Sequence, residues 1–157
     1  MKRFLISILL AATAIPIVAS ARDAADPLCI SLRAFVASVK PNEKRELIFH
    51  TSWGENFKGE SQQVLYAVRC EHNGYNPAQA VCAYLMKNAS IEFAGINAKR
   101  AISCLSPHTV FGPHLDINFG DFSFSYGTPN RGSLVAVKLY EDTKLGGMAL
   151  SISADGY

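Results

Sequence analysis

The amino-acid sequence predicts an α+β fold, with a helix-rich, disulfide-bonded N-terminal half and an antiparallel β-meander in the C-terminal half. Apolar residues recur at helical spacing through much of residues 27–105, whereas apolar and polar residues alternate after residue 114. All four cysteines lie in the first of these regions. Short turns between the later strands favour antiparallel pairing, because a parallel sheet would need crossover helices.

Residues 1–21 show the three parts of a secretory signal peptide. The first three residues include two positive charges, an apolar run follows as far as Val18, and Ala19–Ser20–Ala21 form a small-residue cleavage site. We therefore expect a mature chain that forms a single domain over residues 22–157, in the periplasm or outside the cell. No second apolar run reaches about 18 residues, so we expect no transmembrane anchor in the mature chain.

The charge of the mature chain argues against a nucleic acid partner. Lys2 and Arg3 are two of the 15 basic residues and would leave with the signal peptide, so 13 basic residues remain to balance 13 acidic ones. A neutral chain with scattered charges has no positive surface for phosphate groups. We expect no nucleic acid to bind.

The first elements of the mature chain are a helix and a strand. Asp26 is a candidate N-cap and Pro27 suits the first helical position, so we predict a helix that ends before Pro41–Asn42. Apolar and polar residues then alternate from Arg45 to Trp53, which predicts a strand. Trp53 shares one strand face with two apolar residues, and we therefore expect it to be buried.

Helical spacing returns after a polar loop at residues 54–60. It predicts one helix over residues 61–72 and a second over residues 76–88. Residues 89–105 are ambiguous, because their second half fits a short helix that begins at Asn97, while their first half resembles extended chain.

The C-terminal part predicts strands joined by short turns. Residues 115–119 and 122–126 each alternate, and the Gly120–Asp121 pair between them suits a tight hairpin turn. Two further strands are predicted at residues 133–140 and 148–153. The strand at residues 45–53 is free to join this sheet.

The four cysteines predict two structural disulfide bonds. They are too widely spaced for a typical zinc site, and a catalytic thiol would leave one cysteine unpaired in an oxidising compartment. Three pairings are possible, and spacing alone does not choose among them. We expect Cys29 to pair with Cys70 and Cys82 with Cys104.

Histidines supply the candidates for metal or enzyme chemistry. His108, His114 and Asp116 could provide three ligands, but they lie in a loop without helical spacing, so we expect exposed side chains and no metal cofactor. His50 and Ser52 share a strand face, yet Ser52 lacks the sharp turn that a serine nucleophile needs. We predict no catalytic residue.

A partner-binding surface is predicted on the strand at residues 122–126, where aromatic residues alternate with serines. Ser123 and Ser125 are small and uncharged, so this strand would not repel a strand from another chain. Tyr126 and Arg131 complete the predicted contact set, because Arg131 can form a bidentate contact with a carboxylate.

These observations favour a small, non-catalytic protein-binding domain, such as an inhibitor of a cell-wall hydrolase or an immunity protein. Two alternatives remain open: a periplasmic hydrolase or metal-dependent enzyme that uses loop histidines, and a structural or assembly component of the envelope. The prediction includes a protein partner in the periplasm or extracellular space and leaves the oligomeric state open.

Overall fold

A computed structural model describes residues 26–157, and the predicted signal peptide lies outside this range. The described chain forms three α-helices and five β-strands. In chain order these are α1 (Pro27–Ala37), β1 (Lys44–Trp53), β2 (Tyr66–Glu71), α2 (Asn76–Asn88), α3 (Ala94–Leu105), β3 (Gly120–Thr128), β4 (Arg131–Glu141) and β5 (Met148–Gly156). Within this range no helix is long and apolar enough to cross a bilayer.

The five strands form one sheet in the order β2-β1-β5-β4-β3, and every neighbouring pair is antiparallel. The α+β class is therefore confirmed, and β3, β4 and β5 form a meander. The prediction of a helix-rich N-terminal half is not confirmed, because β1 and β2 lie between α1 and the other two helices. Strand β1 joins the meander through β5, which leaves β2 and β3 at the edges of the sheet.

The three helices pack on one face of the sheet, which we call the inner face. Its strand residues, buried with apolar residues of all three helices, are Leu47, Phe49, Val135, Val137, Leu139, Leu150 and Ile152. The opposite, outer face bears the residues that alternate with these along each strand. They include Ser123, Ser125, Lys138, Tyr140, His50, Ser151 and Ser153. Leu134 and Tyr140 on the outer face are 51% and 39% exposed.

Helix α1 begins as predicted. The Asp26 carboxylate accepts a hydrogen bond from the backbone N–H of Leu28 at 2.9 Å, and Pro27 occupies the first turn. The same carboxylate forms an ion pair with Arg100 at 2.9 Å, which joins α1 to α3. Helix α3 begins at Ala94 rather than Asn97. Asn97 is buried and hydrogen-bonds both backbone groups of Ser90.

Two predicted elements are wrong. Residues 61–72 form no helix, because Val68 and Cys70 of β2 pair with β1. The hairpin is also shifted: Gly120 and Asp121 begin β3 instead of forming a turn, and the turn is at Pro129–Asn130. Residues 115–119 pack on α3 instead. The contact is so close that a Cβ on Gly95 would collide with the backbone carbonyl of Ile117.

Trp53 is 48% exposed, so the expectation of burial is wrong. Although it lies on the inner side of β1, it is the last residue of that strand and pairs with Tyr66, which is 50% exposed. The apolar alternation correctly identified the face of the strand but not how far the helices extend across it.

The chain forms two disulfides, as predicted, but the predicted pairing is wrong. Cys29 of α1 bonds to Cys104 of α3, and Cys70 of β2 bonds to Cys82 of α2. The reason is topological: α1 and α3 pack side by side, while β2 turns back directly into α2. The 75-residue separation of the first bond joins distant segments, and the 12-residue separation of the second fastens one edge strand.

The two bonds should therefore contribute unequally to stability. Because the entropy removed from the unfolded chain grows with loop length, the Cys29→Ala/Cys104→Ala variant should lose about 4–5 kcal/mol and the Cys70→Ala/Cys82→Ala variant about 3 kcal/mol. Urea unfolding of the oxidised proteins measures both. Equal losses would contradict this order, and peptide mapping without reduction checks the pairing independently.

Candidate functional site

The two edge strands of the sheet differ in how they are protected. Strand β2 has six residues and bears two charged side chains, Arg69 and Glu71. Arg69 pairs with Glu60 at 2.6 Å and lies 5.0 Å from the ring centre of Phe57, so the loop before β2 packs against this side chain. The Cys70–Cys82 bond attaches α2 to the strand. A short edge strand with charged side chains is typical of edges that are kept from pairing with other chains.

Strand β3 has nine residues and lacks such protection. Phe122, Phe124 and Tyr126 face inwards and are half-buried against the core, while Ser123 and Ser125 face outwards and are exposed. The aromatic and serine faces are therefore as the alternation predicted. One charged side chain lies on β3, Asp121, and it forms an ion pair with Lys138 of β4 at 2.8 Å.

The backbone hydrogen bonds of β4 show which residues of β3 point their N–H and C=O groups to the free edge. Gly132 exchanges backbone hydrogen bonds with Tyr157 in both directions, at 3.2 and 3.0 Å. Because direction alternates along a strand, Ser133 must point its N–H and C=O towards β3, where it pairs with Tyr126. The β3 residues whose backbone groups point to the free edge are then Asp121, Ser123, Ser125 and Gly127. All four are exposed.

A cleft of about 340 Å³ lies at the end of this edge. Its walls include Val36 and Val39 on one side and Tyr126 and Arg131 on the other. The β3–β4 turn positions Arg131, because Thr128 Oγ1 accepts a hydrogen bond from its N–H at 3.3 Å. Of the four residues predicted to bind a partner, three thus lie on β3, and Arg131 lies at the start of β4, directly after the turn.

A second cleft, of about 490 Å³, lies on the outer face beside the β4–β5 turn. His50 is buried there, with Nδ1 2.9 Å from Oδ2 of Asp142 and Nε2 3.5 Å from Oε1 of Glu71. Despite the short first distance, neither nitrogen makes a well-aligned hydrogen bond. The sequence indicated His50 but gave no sign of Asp142, because these residues are distant in the chain.

Asp142 organises the turn between β4 and β5. Its Oδ1 accepts hydrogen bonds from the N–H groups of Lys144 and Leu145, at 2.8 and 3.0 Å. The Leu145 bond is the largest influence on the pKa of Asp142, and together with the Lys144 bond and His50 it lowers that pKa below its usual value against the opposing effect of burial. The carboxylate therefore stays ionised and connects this turn to β1.

Burial raises the pKa of the Tyr140 hydroxyl in the same cleft, and the charges of Asp142, Glu46 and Glu71 raise it further. Three of the residues that line the cleft are acidic: Glu71, Glu141 and Asp142. Ser52 is buried, and among residues 26–157 no hydrogen bond connects it to His50, so these residues do not form a catalytic triad with Asp142. The geometry is that of a carboxylate that holds a turn and lies close to a buried imidazole.

The loop histidines are not brought together. His108, His114 and Asp116 are exposed in the segment between α3 and β3 and do not form a cluster of ligand atoms. In the described part of the chain, the one set of three potential ligands within 4.8 Å contains Cys29, Cys104 and Asp26. Both sulfurs are already bonded to each other, so this set offers no thiolate.

Exposed apolar side chains also lie away from β3, for example at the β1–β2 hairpin and near the start of α3. Trp53, Leu65 and Tyr66 lie together at the end of the β1–β2 hairpin. Phe93 lines a cleft of about 390 Å³ between the start of α3 and the sheet. Phe119, which is also exposed, comes directly after Asn118, another residue that lines this cleft. The sequence pointed to neither as a binding site, because apolar residues at regular spacing usually indicate core.

The Asp142 contact should depend on pH. Asp142→Asn keeps an acceptor for the turn but removes the charge, so it should lower the free energy of unfolding by about 1–2 kcal/mol at pH 7. Because the native pKa is below the unfolded value of about 3.9, this difference should be complete above that pH and shrink as pH falls through the native pKa. Urea unfolding between pH 2 and pH 7 measures it.

The control is Asp155→Asn, which removes an exposed carboxylate at the other end of the same sheet. It should change stability by less than the Asp142 variant. A stability difference for Asp142→Asn that does not vary with pH in the acid range would show that its charge is not held by this turn.

Comparison with known proteins gives no match: no protein-family model, curated protein or solved structure is significantly similar to the chain.

Proposed function

We propose that this protein is a small, non-catalytic protein-binding domain of the periplasm or extracellular space, in which β3 binds an extended segment of a partner as an additional strand. Inhibition of a cell-wall hydrolase and immunity against a toxin are two roles that fit this activity. The observation that carries the proposal is the free edge of β3, a nine-residue strand with one charged side chain, which contrasts with the short β2 and its two charged side chains.

The extracytoplasmic location is supported by two independent features. The first 21 residues have the pattern of a secretory signal peptide, and both disulfides are formed. Structural disulfides persist in oxidising compartments and are rare in the cytosol. These features support export without distinguishing the periplasm from the outside.

The composition of β3 suits strand addition. Ser123 and Ser125 provide N–H and C=O groups at the free edge, and their short side chains lose little entropy when a partner covers them. On the inner side, Phe122 and Phe124 are half-buried, so a new strand can pack apolar side chains against their exposed parts. Main-chain pairing would provide affinity, and these side chains would provide selectivity.

The cleft at the end of β3 would select one partner residue. Val36, Val39 and Tyr126 give it apolar walls, and Arg131 also lines it. An apolar residue followed by a carboxylate fits this arrangement, because arginine binds carboxylates with two parallel hydrogen bonds. Pro129 restricts the turn that carries Arg131, which lowers the entropy lost on binding.

Two other roles have less support. An enzyme that uses His108, His114 and Asp116 would need ligands or bases that converge, and these side chains are exposed and do not form a cluster. An enzyme based on His50 would need a nucleophile within reach of its imidazole. A structural envelope component would also use an exposed edge. The identity of the bound partner would distinguish this role from that of an inhibitor or an immunity protein.

Hydrogen exchange provides a direct test of strand addition. Linear peptides selected on the purified protein from a displayed library serve as the probe. A bound peptide should slow exchange of the Ser123 and Ser125 amides at least tenfold, because these groups point to the free edge. The amides of Phe122 and Phe124 already bond to β4 and should change little.

Substitution provides the matching loss of function. Ser123→Lys/Ser125→Lys combined with Arg131→Ala should reduce peptide affinity at least tenfold, because charged, bulky side chains block an edge. Ser61→Lys/Gln63→Lys adds the same number of lysines in exposed positions before β2 and should leave affinity unchanged. If the edge variant folds normally and binds as tightly as the wild type, β3 is not the contact surface.

A further inference from the structure

We propose that a second copy of this chain occupies the free edge when no partner is bound, through antiparallel pairing of the two β3 strands about a twofold axis at Phe124. This inference rests on the proposed function, because it concerns the same edge. It assigns the unbound protein a weak symmetric dimer whose sheet continues through both copies. A partner strand would then have to displace the second copy.

The register follows from the hydrogen-bonding direction of β3. Every residue with free backbone groups has an odd number, from Asp121 to Gly127, so an antiparallel partner must place odd residues opposite odd residues. A twofold axis at Phe124 does this for the whole set. It places Ser123 opposite Ser125 of the second copy and Asp121 opposite Gly127 of the second copy.

The side chains are complementary to themselves in this register. Serine faces serine on the outer side. On the inner side, Phe122 faces Tyr126 of the second copy, and the two Phe124 rings meet at the axis. Phe124 would lie at a non-hydrogen-bonded position, where opposite side chains approach most closely, and aromatic pairs across strands are stabilising there.

Neighbouring registers are less favourable. An axis at Ser125 would place Asp121 opposite Pro129, which has no N–H to donate. An axis at Ser123 would place Gly127 opposite Phe119, which precedes β3 and is 81% exposed. The axis at Phe124 is the one that uses the free groups from Asp121 to Gly127 without extending beyond the strand.

Charge does not oppose this pairing. Asp121 is the charged residue on β3, and it would lie opposite a glycine. The two Asp121 carboxylates would lie at opposite ends of the interface, about 20 Å apart at roughly 3.3 Å per residue. This exceeds the screening length of about 8 Å at physiological salt, so their repulsion is small.

The area of the interface indicates a weak dimer. Nine residues extend about 30 Å, and a strip about 10 Å deep would bury roughly 300 Å² on each copy. The total of about 600 Å² is below the size of a stable, specific interface, so the association should be weak. Such a dimer protects the edge at high concentration and still yields to a tighter partner.

Sedimentation of the purified protein between about 5 and 500 µM tests the association. The wild type should shift from monomer towards dimer across this range. Ser123→Lys/Ser125→Lys should remain monomeric, because it brings like charges together across the axis, whereas the control Ser61→Lys/Gln63→Lys should dimerise like the wild type. Wild-type protein that is monomeric throughout, or an edge variant that dimerises equally, would overturn the proposal.

Cysteine cross-linking tests the register. Ser123→Cys and Ser125→Cys proteins, mixed and mildly oxidised, should form a mixed dimer in at least tenfold excess over either protein alone. The expected Cα separation of about 5.5 Å in a hydrogen-bonded pair suits a disulfide. Efficient bonding of Ser123→Cys to itself would contradict the axis at Phe124.

The two proposals fail separately. Exchange protection of Ser123 and Ser125 by a peptide in a protein that never dimerises would overturn the dimer and leave strand addition intact. Dimerisation in the predicted register without any peptide that protects these amides would support the dimer and overturn the proposed partner-binding function.

Discussion

The insertion of β5 between β1 and β4 is the constraint on which the rest of the fold depends. Strand β5 is the last element in the chain but lies at the centre of the sheet, and residues 149–154 are all buried. Its inner side carries Leu150 and Ile152 into the core shared with the helices. Without β5, the N-terminal helices with β1 and β2 would have no continuous sheet to join them to the β3–β4 hairpin.

This central position also determines what is exposed. Because β5 joins two antiparallel pairs, β2 and β3 must be the edges. The neighbouring segments of the chain differ at these two edges. Strand β2 follows a loop that packs against its Arg69 side chain, and it precedes a helix bonded to it by Cys70–Cys82. Strand β3 follows a segment that packs on α3 instead, so within residues 26–157 nothing covers its outward backbone groups. The candidate site is therefore a consequence of chain order.

Much of the local structure could be predicted from sequence, because it depends on neighbouring residues. The start of α1 at Asp26, the strand at β1 and the alternation of aromatic residues and serines in β3 all follow from local rules. What failed depends on distant contacts. The apolar spacing in residues 61–72 fits a helix, and only pairing with β1 makes Tyr66–Glu71 a strand. The disulfide pairing likewise depends on which elements become neighbours.

The candidate site divides in the same way. The alternation in β3 is enough to propose Ser123, Ser125 and Tyr126, and the preceding turn is enough to propose Arg131. That β3 is an edge required the position of β5, and the contact between His50 and Asp142 required the folded β4–β5 turn. Trp53 illustrates the limit of periodicity, which identifies the side of a strand that faces inwards but not where the covering helices end.

An exposed edge is usually a route to open-ended association, and this fold restricts that route at three points. Asp121 places a charge at one end of the free edge, and Pro129 ends it at the other, so the length available for pairing is bounded. The opposite edge, β2, is short and bears Arg69 and Glu71, which disfavours a second strand contact that would continue a fibre. Pairing through one edge about a twofold axis is closed by symmetry, because each copy uses its single free strand on the other. The unequal protection of the two edges thus permits a specific strand contact while limiting growth beyond it.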